Sequence, residues 1–330
     1  MALIDKLRYT NEIDSDPGTL PCGDNSTINE RTFKEFQVLM RKSTKSGVNF
    51  SQGIVSTYSL VYTRSSAYNG VVLAPNGDIH FVPTFADRGQ KISINGIVST
   101  YSLIYTDMNA YIGGVLSPNG DIHFAPMAAT VGQKIEINGT VSTYSLVSTN
   151  ASGAYAGCIL APNGDIHFVP YCVDRGQKIA MDGTVSTYSL VYTNIDGAYN
   201  GGILSPNGDI HFVPYSANRG QKISLDGTVS TYSLVYTLSG SYSSGILAPN
   251  GDIHFVPNNA SIGQKISVDG IVSTYLLAYT VAYSYSGGIL TPNGDIHFVP
   301  NSAEVGQKIH VSSANQFSLG MCCHPFFNKF

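Results

Sequence analysis

One stretch recurs almost verbatim along this chain, and recurrence at a fixed period limits the possible folds more tightly than any other feature. The segment GGILSPNGDIHFVPYSANRGQKISLDGTVSTYSL has six clear copies. Their histidines, His80, His123, His167, His211, His254 and His297, are separated by 43, 44, 44, 43 and 43 residues. A period this regular means one structural unit used repeatedly, with each unit hiding its neighbours' apolar faces.

Within a unit, the punctuation is that of antiparallel hairpins. Asn76-Gly77 separates an apolar run ending at Ala74 from Ile79 to Val82. Asn-Gly is a strong signal for a two-residue hairpin, whose turn residues both take positive φ. A second tight turn, Asn95-Gly96 in the first copy and Asp182-Gly183, Asp226-Gly227 and Asp269-Gly270 later, parts the GQKIS and VSTYSL segments. These segments are rich in Ile, Val, Thr and Tyr, as half-buried strands are. Each unit therefore contains four short strands.

Four short antiparallel strands per repeat predict an all-β fold, a β-propeller of four-stranded blades. A parallel β-solenoid fits poorly, because its coils are shorter and lack such hairpins. The PNG hairpin and the GQKISLDGTVSTYSL run resemble the NHL class of propeller repeats, and the resemblance covers about residues 53 to 325. It implies that the PNG hairpin joins the two innermost strands, and in the fourth copy it implies strands at Gly201 to Ser205 (a, next to the axis), Asp209 to Val213 (b), Gln221 to Leu225 (c) and Thr228 to Tyr236 (d, on the rim); it says little about activity.

The ends of the chain suggest how a ring closes. Gly53 to Thr63 reads as a strand d, Gly47 to Gln52 as a weak c, and Phe33 to Leu39 as a b. At the other end, Ala314 to Leu319 reads as a d, and GMCCHP (320 to 325) aligns with GGILTP (287 to 292) as an inner strand. Seven blades are expected, the last shared between the two ends, with six blades as the alternative. Residues 1 to 30 are read as an extension and 31 to 330 as a single propeller domain.

The charge balance argues against some functions. Eighteen Lys plus Arg against 22 Asp plus Glu give a net charge of −4, with no basic stripe for nucleic acid or a membrane surface. The start, MALIDKLRYT, carries charges where a secretory signal needs an apolar stretch, and the five cysteines show no disulfide pattern. A soluble, intracellular (cytoplasmic) protein, or one inside a virion or other assembly, is expected.

Comparing the copies, the b–c and d–a connections vary while the two glycine turns do not, so one face of the ring should be variable and the other uniform. A rigid scaffold that presents differing loops suits binding. Tyr68, Tyr111, Tyr155, Tyr199, Tyr242 and Tyr285 persist at the start of each inner strand and are expected as an aromatic ring at the channel mouth, with wedge packing between blades as the bland alternative. Arg88, Arg175 and Arg219 place positive charge on one sector only. The six histidines sit on strands one step off the axis and cannot converge on one ion; they are expected to be structural, buried and hydrogen-bonded between blades, with no metal site and no cofactor. The aspartates of the DIH motif, such as Asp78, are expected to brace the Asn-Gly turns.

The functional expectation is therefore a non-catalytic scaffold or interaction protein that binds a protein or glycan partner, with a lectin-like propeller as the alternative. A lactonase- or sialidase-like hydrolase ranks below both, because the acidic candidates Asp87, Asp107, Asp174, Asp196 and Glu304 share no position and no nucleophile motif appears.

Overall fold

The computed structural model describes residues 56 to 193 and 196 to 311. These residues form six antiparallel sheets in succession, five with four strands and the last with three, and each sheet runs in chain order. The fold is an all-β propeller. The first blade has strand a at Tyr68–Leu73, b at Ile79–Pro83, c at Arg88–Ile92 and d at Val98–Ser102. Inner strands of consecutive blades are neighbours, from Tyr68–Leu73 through to Tyr285–Leu290. The expected seventh blade, its clasp (33 to 55 and 314 to 325) and the extension 1 to 30 lie outside the described residues.

Each blade is a flat unit that cannot bury its own faces, and the apolar clusters accordingly fall between blades. Val72 and Val82 of the first blade pack against Tyr111, Ile122 and Phe124 of the second. Val213 of the fourth meets Tyr242, Ile253 and Phe255 of the fifth in the same way. Fully burying one such side chain stabilises by about 1.5–3 kcal/mol, so every interface contributes several such increments.

The hairpins differ from the two-residue turns expected. Gly77 donates to Ala74 O at 3.0 Å, so Pro75 and Asn76 are the central turn residues. Among the described residues only Ser66, Asn109 and Tyr283 have positive φ without being glycine, so Asn76 does not; Gly77 does, at 88°. Proline fixes φ near −65° at the first central position, which selects an ordinary turn followed by a left-handed glycine. The Asn76 side chain accepts from Asp78 N–H, which makes it the brace of the turn.

Strand limits shift as well. In the fourth blade, strand a is Tyr199–Leu204 and strand d stops at Ser233. Strand d ends early because Val235 and Tyr236 give their N–H groups to Gln264 Oε1 of the next blade, each at 2.9 Å. The same latch recurs: Gln90 holds Val61 and Tyr62, Gln133 holds Ile104 and Tyr105, Gln177 holds Val147 and Ser148, Gln221 holds Val191 and Tyr192, and Gln307 holds Ala278 and Tyr279. A buried amide oxygen with two backbone donors ties each rim strand to the following blade.

Candidate functional site

On the side of the two glycine turns, every blade carries the same cluster of polar side chains. In the third blade, Lys178 Nζ lies 2.7 Å from Asp165 Oδ2, and Met181 N–H donates to Asp165 Oδ1 at 3.3 Å. The aspartate braces its own turn as expected, Asn163 Nδ2 donating to Asp165 Oδ2 at 3.2 Å, and also links the first hairpin to the second. Burial pushes the Asp165 carboxyl up, but Lys178 and the Met181 N–H outweigh it and hold the group below the usual carboxylate range.

Two residues along the same strand, and so on the same face, His167 Nδ1 lies 3.3 Å from the Tyr188 hydroxyl. Tyr188 reaches the histidine by lying over Gly176, the residue paired with it across strands c and d. A Cβ on Gly176 would stand 2.0 Å from the Tyr188 ring, so only glycine fits there. Loss of solvation on burial, helped by the Lys178 charge, pushes His167 down to about 4, leaving a neutral imidazole at neutral pH. The same pairing holds for His80–Tyr101, His123–Tyr144, His211–Tyr232 and His254–Tyr275. These bonds lie within a blade, from strand b to strand d, not between blades as expected. Between the third and fourth blades the cluster borders a cavity of about 180 Å³ lined by Asp165, His167, Lys178 and Tyr188 on one wall and Leu225 and Asp226 on the other.

The last blade departs from this pattern. His310 replaces the Ser93, Glu136, Ala180, Ser224 and Ser267 of the other copies. Its Nδ1 lies 2.6 Å from Asp295 Oδ1, while Lys308 Nζ lies 2.7 Å from Asp295 Oδ2. The Asp295 side chain is buried at 3% exposure, whereas that of His310 is 71% exposed. The Lys308 ammonium, then the His310 ring, hold the Asp295 carboxyl down at about 2. An ionised carboxylate can only accept, so His310 Nδ1 carries the hydrogen of this bond. A base whose tautomer and direction are set by a carboxylate is a recurring catalytic arrangement. His297 also differs from the other five repeat histidines in being exposed.

The expected aromatic ring at the channel mouth is a set of wedges. Tyr111, Tyr155, Tyr199, Tyr242 and Tyr285 are 0% exposed, and Tyr68 is half-buried. Their hydroxyls donate outward to carbonyls at the start of strand c, Arg88, Val131, Arg175, Arg219 and Ile262, and in the last blade to Val305, ahead of that strand. Each ring also packs on a phenylalanine of strand b, as Tyr199 does on Phe212 at 5.5 Å. Rings held this way present no face to a ligand. Arg88, Arg175 and Arg219 are exposed, and Arg88 lies 3.6 Å from Asp87. The structure brings two other tyrosines together on the variable face, Tyr171 and Tyr215 of adjacent blades, with ring centres 6.2 Å apart. Among the described residues, no group of three or more His, Cys, Asp or Glu side chains is placed to hold a metal ion.

Sequence reasoning missed the glutamine latch, the glycine beneath the tyrosine, and the His310–Asp295 pair. The last had a visible signal, since GQKIH puts an imidazole at a position that holds Ser, Glu or Ala in the other copies.

No family model and no curated protein matches the chain. Solved structures do. Virginiamycin B lyase from Staphylococcus aureus superposes with a TM-score of 0.63 at 19% identity, covering 76% of this chain and 86% of that one. A streptogramin B lyase gives 0.59 at 22% identity, over 74% of this chain and 83% of that one. A catalytically inactive histidine-to-alanine variant of the S. aureus lyase, solved with quinupristin, gives 0.61 at 18% identity, over 77% and 88%. At these identities the likeness establishes the propeller fold. The reading as a non-catalytic scaffold, with a lectin as its alternative, does not stand against them: these solved structures of the same fold are enzymes.

Proposed function

We propose that this propeller is an enzyme of the lyase or hydrolase kind, with His310 as its proton-transferring base. The observation that carries this reading is the 2.6 Å bond from His310 Nδ1 to buried Asp295, made where the repeat breaks its own pattern. Asp295 fixes the tautomer and stabilises the imidazolium formed once Nε2 has taken a proton. Lys308, exposed beside the same carboxylate, supplies a cation toward an oxygen that gains negative charge as a bond to it breaks. Further support comes from the lyases of the same fold, one of which is inactive when a histidine is replaced by alanine. NHL-type kinship of the repeats is also a proposal, supported by the PNG hairpin that joins strands a and b.

The test is turnover of quinupristin and a panel of cyclic and open-chain esters, followed by mass spectrometry. Ring opening by elimination leaves the mass unchanged, whereas hydrolysis adds one water, so the product assigns the class. His310→Ala is expected to lower the rate about 100-fold or more, as removal of a general base does. Absence of turnover across the panel, or a His310→Ala variant as fast as the wild type, refutes the proposal.

A further inference from the structure

The residue that follows strand b is one structural position repeated six times, and it divides the variable face into two halves. It is held by Thr84, Met127, Tyr171, Tyr215, Asn258 and Asn301. Backbone hydrogen bonds fix these residues relative to one another. Ala198 N–H donates to Tyr171 O at 2.8 Å and Tyr215 N–H donates to Ala198 O at 3.0 Å, and the same two-step link joins each of the six to the next. Thr84 and Asn258 are buried and turn their side chains to the following blade, donating to Tyr111 O at 2.9 Å and to Tyr285 O at 3.4 Å. That is the structural use of the position, and three consecutive blades give it up. Met127 has no side-chain hydrogen to donate, while Tyr171 and Tyr215 are half-buried rings with centres 6.2 Å apart and planes tilted by 47°. A Cβ on Gly153 would stand 3.4 Å from the Tyr171 ring and 3.6 Å from Met127 Cε, so the thioether and the two rings form one apolar arc.

The neighbouring loops are shaped to this arc. Two residues before each inner strand the backbone takes positive φ. After Thr84 and Asn258 that residue is Asn109 and Tyr283, which hold φ of 60° and 57° in spite of a side chain. After Tyr171 it is Gly197, where a Cβ would stand 3.1 Å from the Tyr171 ring and hydroxyl. The arc carries no charge of its own, and burial, then the neighbouring Tyr215, push the Tyr171 hydroxyl up, so it stays protonated at neutral pH. Around it the exposed Asp174 and Asp196 stand against the exposed Arg175 and Arg219, so neither sign prevails. We propose that Met127, Tyr171 and Tyr215 form a binding site for a small uncharged aromatic group, which lays its ring on the two tyrosines beside the thioether. The site is on the face opposite the turn-side His310, and the inference does not depend on the catalytic reading.

Indole is the probe, followed by saturation-transfer NMR and calorimetric titration of the full-length chain. Saturable binding in the millimolar range or tighter is expected, and Tyr171→Ala and Tyr215→Ala should each weaken it about tenfold. Tyr171→Phe keeps the ring and should bind as the wild type does. Met127→Ser should weaken binding without touching either ring. Tyr283→Asn, which removes an exposed ring of the same face outside the arc, should leave the affinity unchanged. Lack of saturable indole binding overturns the inference, and so does full affinity in a chain that carries both Tyr171→Ala and Tyr215→Ala. If an alanine variant is poorly folded, Tyr171→Phe and Met127→Ser decide: a Phe variant that loses binding, or a Ser variant that keeps all of it, counts against the arc. Benzyltrimethylammonium or benzoate binding more tightly than indole would mean that the site selects charge, and methyl glucoside competing with indole would mean that it takes a sugar; either result also overturns the inference.

Discussion

The third and sixth blades carry the same aspartate and the same lysine on the turn side, at nearly identical spacing, yet their histidines differ. In the third, His167 is buried against Tyr188 and held neutral. In the sixth, His297 is exposed and a second imidazole, His310, stands in the open on the buried Asp295. A repeat supplies its own control: what five copies share is what a blade needs to stand, and what one copy changes is free to serve chemistry. The aspartate illustrates both, as a tie between two turns in the third blade and as the partner of the exposed His310 imidazole in the sixth.

The largest effect that would test this contrast is on the structural side. Gly176→Ala places a methyl group within the Tyr188 ring, which must leave its site and give up the His167 contact. A stability loss of about 3 kcal/mol is expected in urea unfolding. Tyr188→Ala added to it should restore part of that loss, because the clash disappears. A Gly176→Ala protein as stable as the wild type would mean that the packed histidine–tyrosine unit is not what supports the blade.

A smaller effect comes from pH. His80, His123, His167, His211 and His254 sit at about 4 in the fold, mainly through burial, against about 6.5 in the unfolded chain. Because the folded values lie below the unfolded one, the unfolded chain binds more protons in that window. Their contribution is complete above pH 6.5 and is lost as pH falls toward 4. Asp78 and Asp165, whose values are depressed in the fold, add a loss in the same direction at lower pH. The melting temperature should fall by several degrees between pH 7.5 and 5, and a flat profile would place these rings in water.

Much of the fold was legible because the repeat writes each strand six times over. The period, the two hairpins per unit and the propeller all follow from spacing. The turn type was misread because Asn-Gly was weighed without Pro75, whose fixed φ selects the turn. The tyrosines were misplaced for a different reason: their persistence within varying loops looks the same whether a ring faces a ligand or wedges under a neighbouring blade. Gln90 and Gly89 carry no signal for their roles, since the partners of each, Val61 and Tyr62 for one and the Tyr101 ring for the other, are set by packing that spacing alone does not display. The scaffold reading rested on features that all copies share and gave no weight to position 310, where the proposed base stands.

The most direct measurement is turnover and melting of His310→Ser, which returns the last copy to the serine of the first. The melting temperature should stay within about a degree of the wild type, since the exposed ring buries little, while the rate on any ester of the panel that is turned over should drop about 100-fold or more. Unchanged turnover in a well-folded His310→Ser protein would contradict the account, because the chemistry would then not depend on the imidazole at position 310.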